Sequence, residues 1–437
     1  MKESLKKIAD HIPYPIGKLL GVTPMQFRLG RSYQRFSNKI NGHSSAVIGE
    51  QFGLLKSLVS FSYKNIEYYR NFYNDHGFSP DRFEIMDDVL KIPVSTKTEY
   101  QRYSIEKRSF KDFALKKSNT GGTTGQPLDF YIEKTSYARE WAHMHAIWAT
   151  LGYRYTDEKI TIRGKNIGSR FYKYNFNQNE FLINAYAPLQ ENIDSCSELI
   201  TKRNIKWIHG YPSSIYSFLR ELENVDSVLF EILISKVKGV FLGSEYPVPQ
   251  YRKYIEQHCG LKTISWYGHS EMAVLAPERE PGSGIYYPFH SYGFAEAVPA
   301  GDSYRLVGTS THNFATPFIR YDTGDLIEPT FKDGFLECFR IKEGRNSDSV
   351  VDKKGRSISL TGLIFGRHHK AFSHSEHVQV RQLSPGSIEI LITSKEQVRD
   401  WSQLFDFSNS YFDIKFTQIG SPVKTALGKV QLLVRQQ

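Results

Sequence analysis

The segment SNTGGTTGQPLDF, Ser118 to Phe130, carries three glycines, three threonines and a serine before it ends on proline and an apolar turn. Gly121, Gly122 and Gly125 let several backbone N–H groups turn toward one anion, and Thr120, Thr123 and Thr124 add hydroxyl donors. Phosphate is the natural guest of such a cradle. A Walker-type loop requires GxxxxGK[ST], whereas Gly125 is followed by Gln126 and Pro127 with no lysine, so kinase or GTPase chemistry of that class is excluded. Taken alone, a Gly/Thr loop between two elements is also simply a turn. It does not stand alone. LGSEYP (242–247), SWYGHSEM (265–272), RYDTGDL (320–326), GRNSD (344–348) and VKTALGKVQLL (423–433) follow it in order.

The elements that must gather these stretches show in the spacing. Ser44 to Tyr73 has helical apolar periodicity, Pro93 to Thr96 is a break that feeds a new helix, and KTSYAREWAHMHAIWATLGY reads as a helix ending at Gly152. Short apolar runs (KITIRG, FLINAYA, IKWIHGYP, VKGVFLGSE, LKTISWYG) then alternate with the helix patterns SSIYSFLRELENV and VPQYRKYIEQHCG. That alternation predicts βαβ units, hence an α/β fold with mostly parallel sheets flanked by helices. After about Gly284 the chain is richer in short strand and turn signals, and EGRNSD has the composition of a hinge. We therefore expect a large N-terminal domain over 1–343 with a basic helical lead-in at about 1–43. A hinge at 344–348 and a small α+β domain over 349–437 complete the chain.

Composition limits the function classes. With 437 residues, 40% hydrophobic and 14% aromatic, the chain buries a substantial core and is not disordered. Cys196, Cys259 and Cys338 stand far apart, which suits neither a disulfide framework nor a structural zinc site. No signal peptide and no uncharged apolar run of about 18 residues is visible, so a cytoplasmic protein is expected. Of the net charge of +10, six units lie in the first forty residues, where eight Lys/Arg face Glu3 and Asp10. This start reads first as a solvated helix packed on the main domain, and second as a peripheral contact with an anionic membrane or acidic partner. No nucleic-acid signature accompanies the charge. His143 and His145, and His368, His369, His374 and His377, lack acidic or thiol partners at ligand spacing and read as satisfied or surface histidines.

In this order the motifs resemble the adenylate-forming superfamily of acyl-CoA synthetases and related ligases. NIEYYRNFY, FEIMDDVLKIPVSTKTEYQ and IHGYPSSIYSFLREL narrow the resemblance to the phenylacetate-CoA ligase subfamily, including its relatives associated with capsular polysaccharide synthesis. The resemblance implies that ATP and Mg²⁺ activate a carboxylic acid to an acyl-adenylate with release of pyrophosphate, and that an acceptor then displaces AMP. CoA is the default acceptor. A carrier-protein thiol acting in trans, or an amine, is the alternative, and a catalytically silent nucleotide-binding scaffold is the reading from another class.

Residue by residue, the resemblance assigns Thr120, Gly121, Gly122, Thr123, Thr124 and Gly125 to the β- and γ-phosphates, and Ser270 to the α-phosphate. Glu271 would bind Mg²⁺, a hard cation suited to carboxylate oxygen. Gly243, Ser244, Glu245, Trp266, Tyr267 and Gly268 would form the adenine slot, while Asp325 takes the ribose hydroxyls with Arg345 assisting. Lys429 would hold the attacking carboxylate and the α-phosphate together, Asp348 would be the pivot of the small domain, and His269 would touch the acyl group. Singly, Glu271 reads as well as a helix cap, Asp325 as a turn residue and Lys429 as a solvated lysine; the ordered set carries the roles. Gly121, Gln126 and Asp322 depart from the serine, lysine and arginine frequent at those positions. Pocket walls are expected from the helix after the loop, HGYPSS and HSEMAV, whose aromatic content points to an apolar or aromatic acyl group.

Overall fold

The computed structural model describes residues 12–41, 47–111, 115–120, 128–163, 167–243, 247, 249–343, 349–360, 363–364, 369–375, 377–408, 410–423 and 432–434. The basic lead-in forms α1 (Tyr14–Gly21), α2 (Met25–Leu29) and α3 (Arg31–Asn41). These helices pack on the main body. Lys18 pairs with the buried Glu158 at 2.8 Å, Arg203 sits 4.0 Å over the Tyr14 ring, and the Tyr33 hydroxyl bonds His145 Nδ1 at 2.9 Å. Ile16, Leu19 and Phe27 stay exposed.

The next helical pattern divides into α4 (Val47–Asn65) and α5 (Glu67–Asp75), broken where Ile66 turns extended. α6 (Lys97–Gln101) opens on a capping box: the Thr96 hydroxyl accepts from the Glu99 amide, and the Glu99 carboxylate accepts from the Thr96 amide. Tyr68, Tyr69, Tyr73 and Tyr100 from these elements share one core with Phe130 and Phe318. That core seats the strand hairpin β1 (Leu115–Asn119) and β2 (Asp129–Glu133), which runs into α7 (Lys134–Ala149).

The main sheet contains β3 (Glu158–Arg163), β4 (Tyr172–Asn175), β5 (Glu180–Asn184), β6 (Ile205–Gly210), β7 (Gly239–Leu242), β8 (Thr263–Gly268) and β9 (Leu275–Pro277). Its order is β4-β5-β3-β6-β7-β8-β9; the five inner strands are parallel, and the two edge strands pair antiparallel. α8 (Ile193–Lys202), α9 (Pro212–Val225) and α10 (Ser227–Lys236) cover the face bearing Ile160, Ile162, Ile208, Val240 and Leu242. α11 (Pro249–Lys253) leads into β8. The opposite face bears Trp207, Phe241 and Ile264 and packs on Ile147 and Trp148 of α7, with the Trp148 and Phe241 rings stacked at 4.8 Å. Alternation of side chains along each strand thus gives the sheet two different coats.

The expectation of mostly parallel sheets holds for this sheet and not for the next. β10 (Phe294–Ala300), β11 (Ser303–Thr309), β12 (Tyr321–Lys332) and β13 (Phe335–Glu343) form an antiparallel sheet in sequence order. The tight turns at Gly301–Asp302 and Asp333–Gly334 leave no room for a crossover, so those neighbours pair as hairpins.

Beyond residue 348 stand the hairpin β14 (Ser349–Val351) and β15 (Ser357–Ser359), and a sheet of β16 (His377–Ser384), β17 (Ser387–Thr393) and β18 (Asp413–Ile419). Their core of Val350, Ile358, Val378, Ile390 and Trp401 also takes in Tyr186 of the main body. Arg356 donates to the Tyr186 and Ala187 carbonyls at 3.1 and 3.2 Å while it pairs with Asp352. The chain from Val423 to Leu432 is fastened at both ends to β16. Gln379 exchanges hydrogen bonds with Val423, and the Val380 amide donates to Leu432 O at 2.7 Å. Among the described residues no helix is long and apolar enough to cross a membrane.

Candidate active site

Two motif strands grip each other by reciprocal hydrogen bonds. Tyr267, near the end of β8, donates to Asp325 Oδ2 of β12 at 2.7 Å; Tyr321, the first residue of β12, donates to Glu271 Oε1 just past β8 at 3.1 Å. Glu271 and Asp325 are 3% and 5% exposed, so each carboxylate is set by these phenols rather than by water. His269 fixes the second Glu271 oxygen. The Val274 amide donates to His269 Nε2, which leaves the proton on Nδ1, and Nδ1 donates to Glu271 Oε2 at 3.0 Å. Both ring nitrogens are engaged, so His269 orients Glu271 by hydrogen bonding, a role its expected contact with the acyl group did not foresee.

The backbone pays for this arrangement at two points. Met272, directly after Glu271, and Arg320, directly before Tyr321, have φ of 57° and 43°, values rarely taken by non-glycine residues. Arg320 is pinned by Glu296 at 3.0 Å and by donation to the Leu90 and Ile92 carbonyls. Asp322, where the motif departs from the superfamily's frequent arginine, accepts from the Gly324 amide at 2.8 Å and pairs with Arg305 at 2.9 Å. Gly324 takes φ 79°, which the turn before Asp325 requires.

Trp266 lies over Gly243, and a Cβ at Gly243 would stand 2.3 Å from the indole. The glycine is therefore needed for the ring that the sequence assigned to a purine. Gly268, the last residue of β8, and Ser270, two residues past it, are exposed. β8 itself is held by Arg252, whose guanidinium makes a two-pronged pair with the fully buried Glu278 at 2.8 and 2.7 Å; Glu278 Oε2 also accepts from the Ser265 amide.

Thr120 closes the neck of the Gly/Thr hairpin loop. Its amide donates to Leu128 O at 3.0 Å and its buried hydroxyl accepts from the Leu128 amide at 2.9 Å. Gly121, Gly122, Thr123, Thr124 and Gly125 of the loop, with Ser244, Glu245, Arg345, Asp348 and Lys429, lie outside the described residues, as does His368.

Between α7 and the motif loop lies a second group of polar residues. His143 donates from Nδ1 to Arg139 O and receives Ser291 on Nε2; burial, above all, takes its pKa down to about 3, so it is neutral. Glu140 accepts from the Tyr292 hydroxyl, and burial raises its pKa. Arg163 Nη2 lies 2.8 Å from His209 Nε2. His374 pairs with Glu396 on the surface, and His369 is bonded to Leu363 O and the Asp406 amide. No group of three or more His, Cys, Asp or Glu able to hold a metal ion occurs among the described residues. Glu271 accepts from Tyr321 on Oε1 and from His269 on Oε2, and a carboxylate is the donor type that a hard cation takes.

Sequence reading missed Tyr321, Arg320, Arg252 and Glu278. The first two stand inside RYDTGDL and are visible there; the Arg252–Glu278 pair spans two motifs and leaves no local signal.

No family model matches the chain. Protein CapK of Staphylococcus aureus is 23% identical over 313 residues, covering 69% of this chain and 68% of that protein. The phenylacetate-coenzyme A ligase of Thermus thermophilus is 23% identical over 310 residues, 64% of each chain. Among solved structures, 2-hydroxyisobutyryl-CoA ligase in complex with 2-HIB-AMP and CoA matches with a TM-score of 0.55 at 17% identity, covering 89% of each chain. With the motif order and the fold, these relatives support an adenylate-forming, phenylacetate-CoA ligase-like chain.

Proposed function

We propose that this adenylate-forming ligase joins a carboxylic acid to AMP from ATP, releases pyrophosphate, and passes the acyl group to the thiol of CoA. The observation that carries the reading is the pair of crossed bonds, Tyr267 to Asp325 and Tyr321 to Glu271, which tie the Asp325 carboxylate of β12 to β8 and the Glu271 carboxylate just past β8 to β12. A carboxylate oxygen of the acid attacks the α-phosphorus and pyrophosphate leaves; the sulfur of the acceptor thiol then attacks the acyl carbonyl, loses its proton, and AMP leaves.

In this reading Asp325, already fixed by Tyr267, accepts from the ribose hydroxyls, with Arg345 beside it. Gly243, Ser244, Glu245, Trp266, Tyr267 and Gly268 border the adenine. Ser270, exposed two residues past β8, reaches the α-phosphate, and the 120–125 loop holds the outer phosphates. Mg²⁺ held by Glu271 would offset phosphate charge. Lys429 would hold the attacking carboxylate and the α-phosphate together; the described residues on either side of it, Val423 and Leu432, are hydrogen-bonded to β16. The 344–348 stretch, with Asp348, is the pivot between the large unit ending at 343 and the small one beginning at 349. Ile16, Leu19 and Phe27 leave an exposed apolar face on the lead-in helices, while Lys18 and Arg28 are turned to Glu158 and to the Phe176 and Asn177 carbonyls, which suits packing on the main body more than an anionic surface.

Carboxylate-dependent ATP–pyrophosphate exchange tests the first step. Lys429→Ala is expected to abolish exchange while Mg·ATP still binds in calorimetry. Unchanged exchange in that variant removes the lysine's role, and ATP binding with no exchange for any acid favours a silent scaffold. AMP release that accelerates on addition of CoA identifies the acceptor; release that waits for a carrier protein or an amine overturns that part.

A further inference from the structure

Arg139 is a buried cation that makes no ion pair with any described residue; the charges of Glu140 and Glu133 act on it without pairing. It lies on α7 and is 1% exposed; its Nη2 touches only the thioether of Met272, at 3.7 Å, and its plane lies 5.1 Å over the Tyr292 ring. Nε and Nη1 have no partner among the described residues. The two nearest acids on its own segment are otherwise employed: Glu140 takes the Tyr292 hydroxyl, and Glu133 takes the Phe314 amide. Glu271, next to Met272 in the chain, is taken by Tyr321 and His269.

Other buried polar atoms there are also unpartnered among the described residues. They are Ser136 Oγ, one helical turn before Arg139, with Thr311 Oγ1 and His312 Nε2 from the loop after β11. Phe36 of α3 is buried against the same two histidines, its ring 5.1 Å from His312 and 5.9 Å from His143. Burial and then the Arg139 charge lower the His312 pKa to about 3, which places the two in one electrostatic neighbourhood. A desolvated guanidinium with no anion is strongly unfavourable, and its planar fork is matched by a carboxylate. An apolar or aromatic acyl tail, the expectation from composition, would leave that cation dry.

On the reading that the chain adenylates an acid, we propose that Arg139 receives a second carboxylate on that acid, so that the substrate class is a dicarboxylate activated at one end and anchored at the other.

Matched acids test this in the exchange assay: glutarate against valerate, adipate against hexanoate, and terephthalate against benzoate. The diacid of at least one pair should exceed its monoacid roughly 100-fold in kcat/KM. Arg139→Met should remove that advantage, chiefly through KM, and leave the monoacid rate unchanged or higher. The unliganded variant should melt no lower than wild type, because an unpaired buried charge has been removed; a purely structural arginine would lower the melting temperature and weaken every acid alike. Equal use of diacids and monoacids overturns the proposal. So does weaker binding of Mg·ATP or inorganic pyrophosphate to Arg139→Met, which would make Arg139 a phosphate ligand. If no acid supports exchange, the adenylation reading fails, yet a rise in melting temperature with a diacid, seen in wild type and absent in Arg139→Met, still upholds the anchor. Absence of both results overturns the anchor as well.

Discussion

Glu271→Gln is expected to lower carboxylate-dependent ATP–pyrophosphate exchange by about 10²–10³-fold, the scale of removing one preorganised electrostatic group from a reaction site. The substitution changes charge and keeps shape. Tyr321 can still donate to the amide oxygen, but the His269 Nδ1–H then faces an NH₂ group unless the ring exchanges its proton between nitrogens. The melting temperature should therefore move little while exchange falls. Tyr321→Phe separates orientation from charge: it leaves the carboxylate and removes a fixed donor, so a milder loss is expected, about tenfold. Exchange undiminished in Glu271→Gln, with Mg·ATP bound as in wild type, would remove Glu271 from the chemistry.

The second large effect is on stability. Arg252→Met is expected to destabilise the protein by about 3–5 kcal/mol, because it leaves the fully buried Glu278 carboxylate without its two-pronged partner. Glu278 would keep the Ser265 and Gly284 amides, which do not neutralise it. Urea denaturation measures the loss, and Arg252→Met combined with Glu278→Gln should recover a good part of it, since the uncompensated charge is then gone. A single variant as stable as wild type would mean that water reaches Glu278. Because Ser265 is one residue before Trp266, the same variant should also disturb the motif strand.

The α/β class was legible because five inner strands are buried on both faces and so read as short apolar runs between amphipathic helices. Thr96 was legible as a helix start because capping is local. The antiparallel β10–β13 sheet was visible only as a change of texture, since strand direction depends on turns whose effect is not periodic. The site residues were recognisable by type and order, whereas the partners of Glu271 and Asp325 were not. Tyr321 and Tyr267 are 50 and 58 positions away from the groups they hold, and that pairing is decided by how one sheet leans on another. Arg139 was illegible for a different reason. In AREWAHMH a single cation among apolar positions looks like the solvent side of a helix, and only its neighbours Met272 and Tyr292 and its burial reveal that it is enclosed.

The contact of Arg356 and Tyr186 bears on tempo. A rotation about 344–348 that moved the Lys429 segment would have to free Arg356 from two carbonyls, each hydrogen bond worth about 1 kcal/mol net, and draw Tyr186 out of a hydrophobic core. Those losses occur before any bond in a substrate changes. The observed pose then has a dwell time of its own, and turnover would be paced by unlatching rather than by chemistry. The clock of the enzyme would stand just past β5, with β3, β6 and β7 between it and the strand that leads to Glu271.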